Sequence, residues 1–305
     1  MSQEMMNTRE VARYLDINEK QVYALIKSGR MPATRVTGKW IFPKQVIDTW
    51  IETNVKTGLE VARQKSGRIA GALLASGSND PVLDILQTCL RKAHPEFFIF
   101  SSNTGSMAGL NALEKGYTDI AWSHLLHPES GEYNVPYLDS RVPHVKAVVV
   151  NLFFRELGFL AASGNPRCIR SVADLARDGI RFINRQAGSG TRLLLDHELG
   201  KAGISPEGIT GYDEEVFTHI EIGLAVLSGE VDTGIATAAV SSILGLDFIP
   251  ITRERFDMIL DQSIYFQQGV QALMDVLTGE EFRKRVRNLG SYDFRSSGKI
   301  MYSTQ

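Results

Sequence analysis

A chain of 305 residues with 43% hydrophobic residues is long for one domain and can fill two or three cores. The formal net charge of −2 hides an asymmetry, since residues 1–67 carry 11 Lys and Arg against 7 Asp and Glu. A basic head on an acidic body suits a head that meets a polyanion. No stretch reaches the roughly 18–20 apolar residues of a membrane span, and Lys146 to Ala162, the nearest, is interrupted by Arg155 and Glu156. Met1 to Glu10 is polar, with no apolar core of a secretory leader. Cys89 and Cys168 lack metal-ligand spacing. A cytoplasmic protein with two buried, reduced thiols is therefore expected.

Asn7-Thr8-Arg9-Glu10 opens a helix with Val11, Ala12 and Leu15 on one face. Asp16-Ile17-Asn18 is a turn, and a second helix runs from about Glu19 to Lys27 with Val22, Leu25 and Ile26 inward. Ser28-Gly29-Arg30 closes it before Met31-Pro32. Two strands, Ala33–Val36 and Lys39–Phe42, join at Thr37-Gly38, and a last helix after Pro43 carries Val46, Ile47 and Trp50. This order is a small α+β winged helix-turn-helix with a basic, outward-facing second helix.

From Thr8 to about Trp50 the order of residues closely resembles the excisionase-like and MerR-like DNA-binding heads: Thr8, Glu10-Val11-Ala12, Tyr14-Leu15, Ile17, Val22-Tyr23, Leu25-Ile26, Gly29, Met31-Pro32-Ala33, Gly38, Trp40 and Phe42. The resemblance implies that the second helix enters the major groove of double-stranded DNA and the wing reaches the backbone or minor groove. Carried over, Asn18, Lys20, Gln21 and Tyr23 face bases or phosphates, Lys27 and Arg30 face phosphates, and Arg35 and Lys39 form the wing contact. A head that meets only another protein is the alternative.

The polar stretch that follows reads as a helical or flexible connector, giving a head at 1–52, a linker at 53–68 and a body at 69–305. In the body, short apolar strands alternate with helices, which marks an α/β domain with parallel sheet. An internal echo supports two similar lobes. Gly109 to Ala121 and Gly223 to Ala236 each read as a helix, a terminating glycine (Gly116, Gly229), an acid (Asp119, Asp232) and a buried strand. Two strands, Lys146–Phe154 and Gly158–Ala161, are expected where the chain crosses between lobes, with a return near Phe248–Ile251.

About Ile69 to Ile300 resembles the bilobed type 2 periplasmic-binding-protein fold, and more closely its cytoplasmic branch related to molybdate-binding proteins. The motifs are Ala-Ser-Gly-Ser-Asn-Asp (75–80), Ser-Asn-Thr-Gly-Ser-Met-Ala-Gly-Leu (102–110), the segment 124–134, Asn-Arg-Gln-Ala-Gly-Ser-Gly-Thr-Arg (184–192) and Gly-Leu-Asp-Phe (245–248). The expected lobes are 69–154 with 248–305, and 155–247. The resemblance implies a ligand between the lobes, with molybdate or tungstate as the class.

Three loops qualify as its walls. In the first, Ser76, Ser78 and Asn79 offer donors, but Asp80 with Pro81 reads as a helix cap whose charge disfavours an anion. The second offers Asn103, Thr104, Gly105 and Ser106 before a helix that starts without an acid. The third places Ser189, Gly190 and Thr191 at a helix start, with Arg185 and Arg192 beside them. A cation in a helix's first turn is disfavoured by roughly 0.3–1 kcal/mol unless an anion shares the site, so Arg192 reads as a ligand group. An i,i+4 pair with Asp196 is the alternative. Two arginines also suit a phosphate-bearing ligand, a carboxylate or a pterin phosphate.

No phosphate-binding Gly-x-x-x-x-Gly-Lys-(Ser/Thr) and no Gly-x-Ser-x-Gly occurs. His124 and His127 beside Glu129 lack a third metal ligand. The resulting expectation is a homodimeric one-component transcriptional regulator that senses a small anion, without enzymatic activity, cofactor or metal. The rival is a cytoplasmic binding or accessory protein of molybdenum or tungsten cofactor metabolism.

Overall fold

The structure, a computed structural model, describes residues 5–15, 17–29, 31–51, 71–290 and 292–304. These form two compact units, one on each side of residues 52–70. The linker expected at 53–68 lies outside the described residues.

In the first unit, strand β1 (Met5–Asn7) leads into helix α1 (Thr8–Tyr14). Asn7 accepts from the N–H groups of Arg9 and Glu10, and Glu10 accepts from the Asn7 N–H. Asn18 and Gln21 make the same reciprocal cap on α2 (Glu19–Lys27). Such boxes satisfy donors that a helix start leaves unpaired. Strands β2 (Thr34–Val36) and β3 (Lys39–Pro43) turn back through Thr37 and Gly38 at φ 47° and 81°, the left-handed pair a tight hairpin needs. Helix α3 follows over residues 44–51. The sheet has three strands in the order β1-β3-β2, one more than the sequence suggested. Met6, opposite Phe42, is buried and joins the core of Val11, Val22, Phe42 and Ile47, which draws β1 into the sheet.

The second unit opens with three parallel strands, β4 (Ala72–Gly77), β5 (Phe98–Asn103) and β6 (Ile120–Ser123), joined by α4 (Pro81–Ala93) and α5 (Ser106–Glu114). After α6 (Leu138–Arg141), strand β7 (Ala147–Ala161) carries the chain into a second α/β layer. That layer comprises β8 (Phe182–Arg185), α7 (Gly190–Ala202), β9 (Glu215–Val216), α8 (His219–Leu227), β10 (Thr233–Thr237) and α9 (Ala238–Leu244). Strand β11 (Asp247–Asp261) returns, followed by α10 (Gln262–Tyr265), α11 (Gln268–Thr278), α12 (Glu280–Val286) and β12 (Ile300–Ser303). Helices α11 and α12 pack on α4.

All these strands belong to one mixed sheet, ordered β5-β4-β6-β11-β7-β10-β8-β9, with β12 beside β7. The antiparallel pair β7 and β11 is shared by both lobes. β11 meets β6 over Asp257 to Leu260, and β7 meets β10 over Leu157 to Leu160. The two crossing strands expected at 146–154 and 158–161 are thus one continuous strand, and the return extends well beyond 248–251. Arg155 does not interrupt β7, because its charge is met by Glu254 directly opposite on β11.

The internal echo has a common physical basis. Gly116 and Gly229 take φ +67° and +75°, ending α5 and α8. Asp119 and Asp232 then accept the backbone N–H of Leu74 and Arg181, each at 2.8 Å. Cys89 is buried as expected, but Cys168 is exposed, in a left-handed turn at φ 52°.

Candidate functional site

Where the two lobes meet, a buried polar network replaces the apolar core. Arg155 is 1% exposed. Its Nε donates to Glu254 Oε1 and its Nη1 to Asp80 Oδ2, both at 2.6 Å. Nη1 also reaches the Asn79 carbonyl at 3.1 Å. Asp80 caps α4 through the Val82 N–H and also accepts from the Tyr292 hydroxyl at 2.9 Å. On the far side of Glu254, His124 Nδ1 lies 2.7 Å from Oε2.

The charges follow from these contacts. Burial disfavours the Arg155 cation, but Glu254 and Asp80 outweigh it and hold its pKa above the ordinary value. Burial would raise Glu254, yet His124 and Arg155 bring it below the usual carboxylate range. The His124 ring is lowered, chiefly by burial, with Glu254 opposing and Arg155 reinforcing the shift.

Arg185, at the end of β8, is different. It is 2% exposed. Its Nη2 donates to the Phe217 carbonyl at 2.7 Å, and its Nε to the Val216 carbonyl and Gln186 Oε1. Among the described residues no carboxylate pairs with it. Burial, then the neighbouring Arg155, pull its guanidinium down to about 9, which leaves it charged at neutral pH. Its Nη1 has no partner, and neither do Arg155 Nη2, Gln186 Nε2, Thr191 Oγ1 and both ring nitrogens of His219. A buried donor left unpaired costs about 1–3 kcal/mol, and more when charged. Many donors without acceptors around an uncompensated guanidinium make a site for an oxyanion.

The backbone brings these groups together through close glycine contacts. A Cβ on Gly190 would lie 2.6 Å from the His124 ring, and one on Gly105 would lie 3.0 Å from Gln186 Nε2. The Met107 N–H donates to the Gly188 carbonyl at 3.2 Å, joining the second and third loops.

The sequence-derived ligand residues are placed unequally. Ser78 and Ser106 are buried and hydrogen-bonded to each other, and Ser106 also accepts from the His124 N–H. Gly105 sits against Gln186 and Gly190 against the His124 ring, Thr191 is buried, and Ser189 caps α7 by accepting from the Arg192 N–H. The N–H groups of Thr104 and Gly105 both donate to the Gly77 carbonyl, so they are not available to an anion. Asn79 reaches the exposed Asn103 side chain at 3.4 Å. Ser76 and Thr104 line a groove with Leu74, Phe100 and Tyr117.

Arg192 departs from its expected role. Its guanidinium pairs with Asp196 at 3.2 Å and Glu215 at 3.1 Å and lies over the Tyr212 ring. Two carboxylates relieve the cation at the helix start, so no bound anion is required there.

Arg155, Glu254, His219, Gln186 and Tyr292 were not singled out by sequence reasoning. Charged residues inside otherwise apolar strands were the available signal for the first two. The sequence offers His124 and His127 as a metal pair. His124 pairs with Glu254 while His127 turns to Ser130, and no group of three potential metal ligands occurs among the described residues.

On the head, Lys20, Tyr23 and Lys27 are exposed on α2, and Arg35 and Lys39 are exposed on the wing. Arg35 lies over the Trp40 ring and donates to the Gly38 carbonyl. The side-chain oxygens of Asn18 and Gln21 are engaged in the helix cap, leaving their amide NH2 groups outward. Arg30 lies outside the described residues. Among the described residues no helix is long and apolar enough to cross a membrane.

A helix-turn-helix head followed by a bilobed α/β body defines a two-domain protein of the binding-protein fold class. The chain belongs to the family described as the PBP superfamily domain, whose model matches residues 88–278, and a model described as a helix-turn-helix domain matches residues 5–55. It is 30% identical over 302 residues to the uncharacterized protein YvgK of Bacillus subtilis, covering 97% of each chain. Among solved structures it resembles a phosphate transporter substrate-binding protein with bound phosphate from Clostridium perfringens, with TM-score 0.54, 15% identity, and 75% and 99% of the two chains covered. It also resembles a tungstate transporter protein from Geobacter sulfurreducens, with TM-score 0.51, 16% identity, and 71% and 97% covered.

Proposed function

We propose that this protein is a one-component transcriptional regulator of the cytoplasm, in which the head binds double-stranded DNA and the body senses a small oxyanion held between its lobes. The observation that carries the ligand class is Arg185, a buried guanidinium with no carboxylate partner, near Arg155 and Gln186, whose Nη2 and Nε2 are also unpartnered. The buried carboxylates, Asp80 and Glu254, are engaged by protein donors, and the exposed Glu221 accepts from the Thr218 hydroxyl. A ligand rich in hydroxyl donors therefore finds few acceptors. Molybdate and tungstate present only acceptor oxygens, and phosphate is their competitor.

Anion binding favours the closed arrangement of β7 and β11 and, in a homodimer, alters how two heads span successive turns of DNA. The test is fluorescence anisotropy on DNA upstream of the protein's own coding sequence, titrated with molybdate, tungstate, phosphate and sulfate at several salt concentrations. A thermal-shift series with the same anions accompanies it, since a ligand that binds only the folded state raises stability. Anion-dependent DNA affinity is the expected result. Anion binding without any DNA binding would support an accessory protein instead.

A further inference from the structure

His219 is the first residue of α8, next to the Phe217 and Thr218 turn that holds Arg185 and caps the helix. It is fully buried, and neither ring nitrogen has a partner. The charged groups facing it are Arg185 from β8, Arg155 from β7 and the His124 ring. Beyond these stand Glu254 and Asp80, both bound to Arg155, and Glu221 on the exposed side of its own helix. Strand β10 and helix α9, which also pack on α8, contain no ionisable residue. A neutral imidazole has one N–H and one lone pair, so in a ring of donors one nitrogen faces the wrong way.

The buried charges of this site sum to zero before a ligand arrives, two guanidinium groups and two carboxylates, although both carboxylates are held by Arg155 and the exposed Glu221 adds a further negative charge near Arg185. A doubly charged anion entering the buried site would leave two negative charges uncompensated, a cost that a proton on a neighbouring ring reduces. We propose that His219 contacts the bound anion and takes up one proton from solvent as it enters, so that the site prefers a doubly charged oxyanion to a singly charged one. This rests on the anion-site reading given above. Burial, then Arg185, Arg155 and His124, hold the free ring well below its ordinary pKa, so it is neutral before binding. The anion raises it. Between the depressed and the raised value, affinity gains about tenfold for each unit that pH falls.

Tungstate and perrhenate, close in size and shape but differing by one charge, are the probes. Titration calorimetry of the full chain in two buffers of different ionisation enthalpy counts the protons. The expected result is uptake of about one proton per tungstate, with perrhenate bound more weakly by about tenfold or more. His219→Asn keeps an amide donor that does not titrate, so tungstate binding persists at reduced affinity, without proton uptake and with a flat pH profile. His219→Gln serves the same purpose if the first variant fails to fold. Tungstate binding to the native chain without proton uptake overturns the inference while leaving the anion site standing. So does uptake that survives in His219→Asn, or perrhenate bound as tightly as tungstate. If tungstate, molybdate, phosphate and sulfate all fail to bind the native chain, the anion site itself falls, and this inference with it.

Discussion

Arg155 and Glu254 face each other in register at the middle of the two strands that the lobes share, with Nε and Oε1 2.6 Å apart and both side chains buried. The same guanidinium holds Asp80 on α4, so a single side chain links the crossing strands to the first lobe.

Removing that link is expected to be costly. Arg155→Met would leave Asp80 and Glu254 buried without their cation, and breaking a buried pair in this way costs about 3–5 kcal/mol. Urea unfolding should show a midpoint lowered accordingly. A midpoint unchanged from the native chain would mean that water already reaches these carboxylates.

Arg185→Met should behave differently. No carboxylate loses its partner, so the loss of stability without ligand should be smaller than in Arg155→Met and limited to the contacts with the Val216 and Phe217 carbonyls, about 1–3 kcal/mol. Anion affinity should fall by the roughly 1.5–3 kcal/mol of a charge-assisted contact, about ten- to hundredfold. Melting temperature with and without molybdate separates the two effects. Full retention of the ligand-induced shift would remove Arg185 from the site.

Arg192→Ala should leave anion affinity intact. Its ion pairs with Asp196 and Glu215 are partly exposed, so about 0.2–1 kcal/mol of stability should be lost for each pair. Loss of the stacking over Tyr212 adds a similar amount. Asp196→Ala is the control, with a smaller loss. Weakened anion binding in Arg192→Ala would return this residue to the pocket.

For the head, Lys20→Ala and Lys39→Ala should each weaken DNA binding similarly across sequences. Each should also reduce the slope of log affinity against log salt by about one unit. Both side chains are exposed, one on α2 and one on the wing, so the fold should be unaffected. An unchanged slope in both variants would place the DNA on another face.

Much of the architecture was written in short-range pattern. The cap at Asn7, the hairpin at Thr37-Gly38 and the repeated helix–glycine–acid–strand unit all depend on residues a few positions apart, and each forms as read, while Asn18, read as a turn residue facing DNA, caps α2. β1 escaped notice because three residues carry no periodicity, and its pairing with β3 rests on burying Met6 against a distant core.

By itself, then, the sequence determined the helix-turn-helix head and the α/β alternation of the body, because capping, turn chemistry and apolar spacing act locally. Only the tertiary structure decided which cations are compensated. Arg192 and Arg185 both stand near a glycine-rich helix start and look equivalent in one dimension. Glu215, brought in from β9, neutralises the first, while the second is sealed beside Arg155, whose own carboxylates come from α4 and β11. Whether a buried charge has a partner depends on segments up to a hundred residues apart meeting in a medium without water, and no local pattern encodes that meeting.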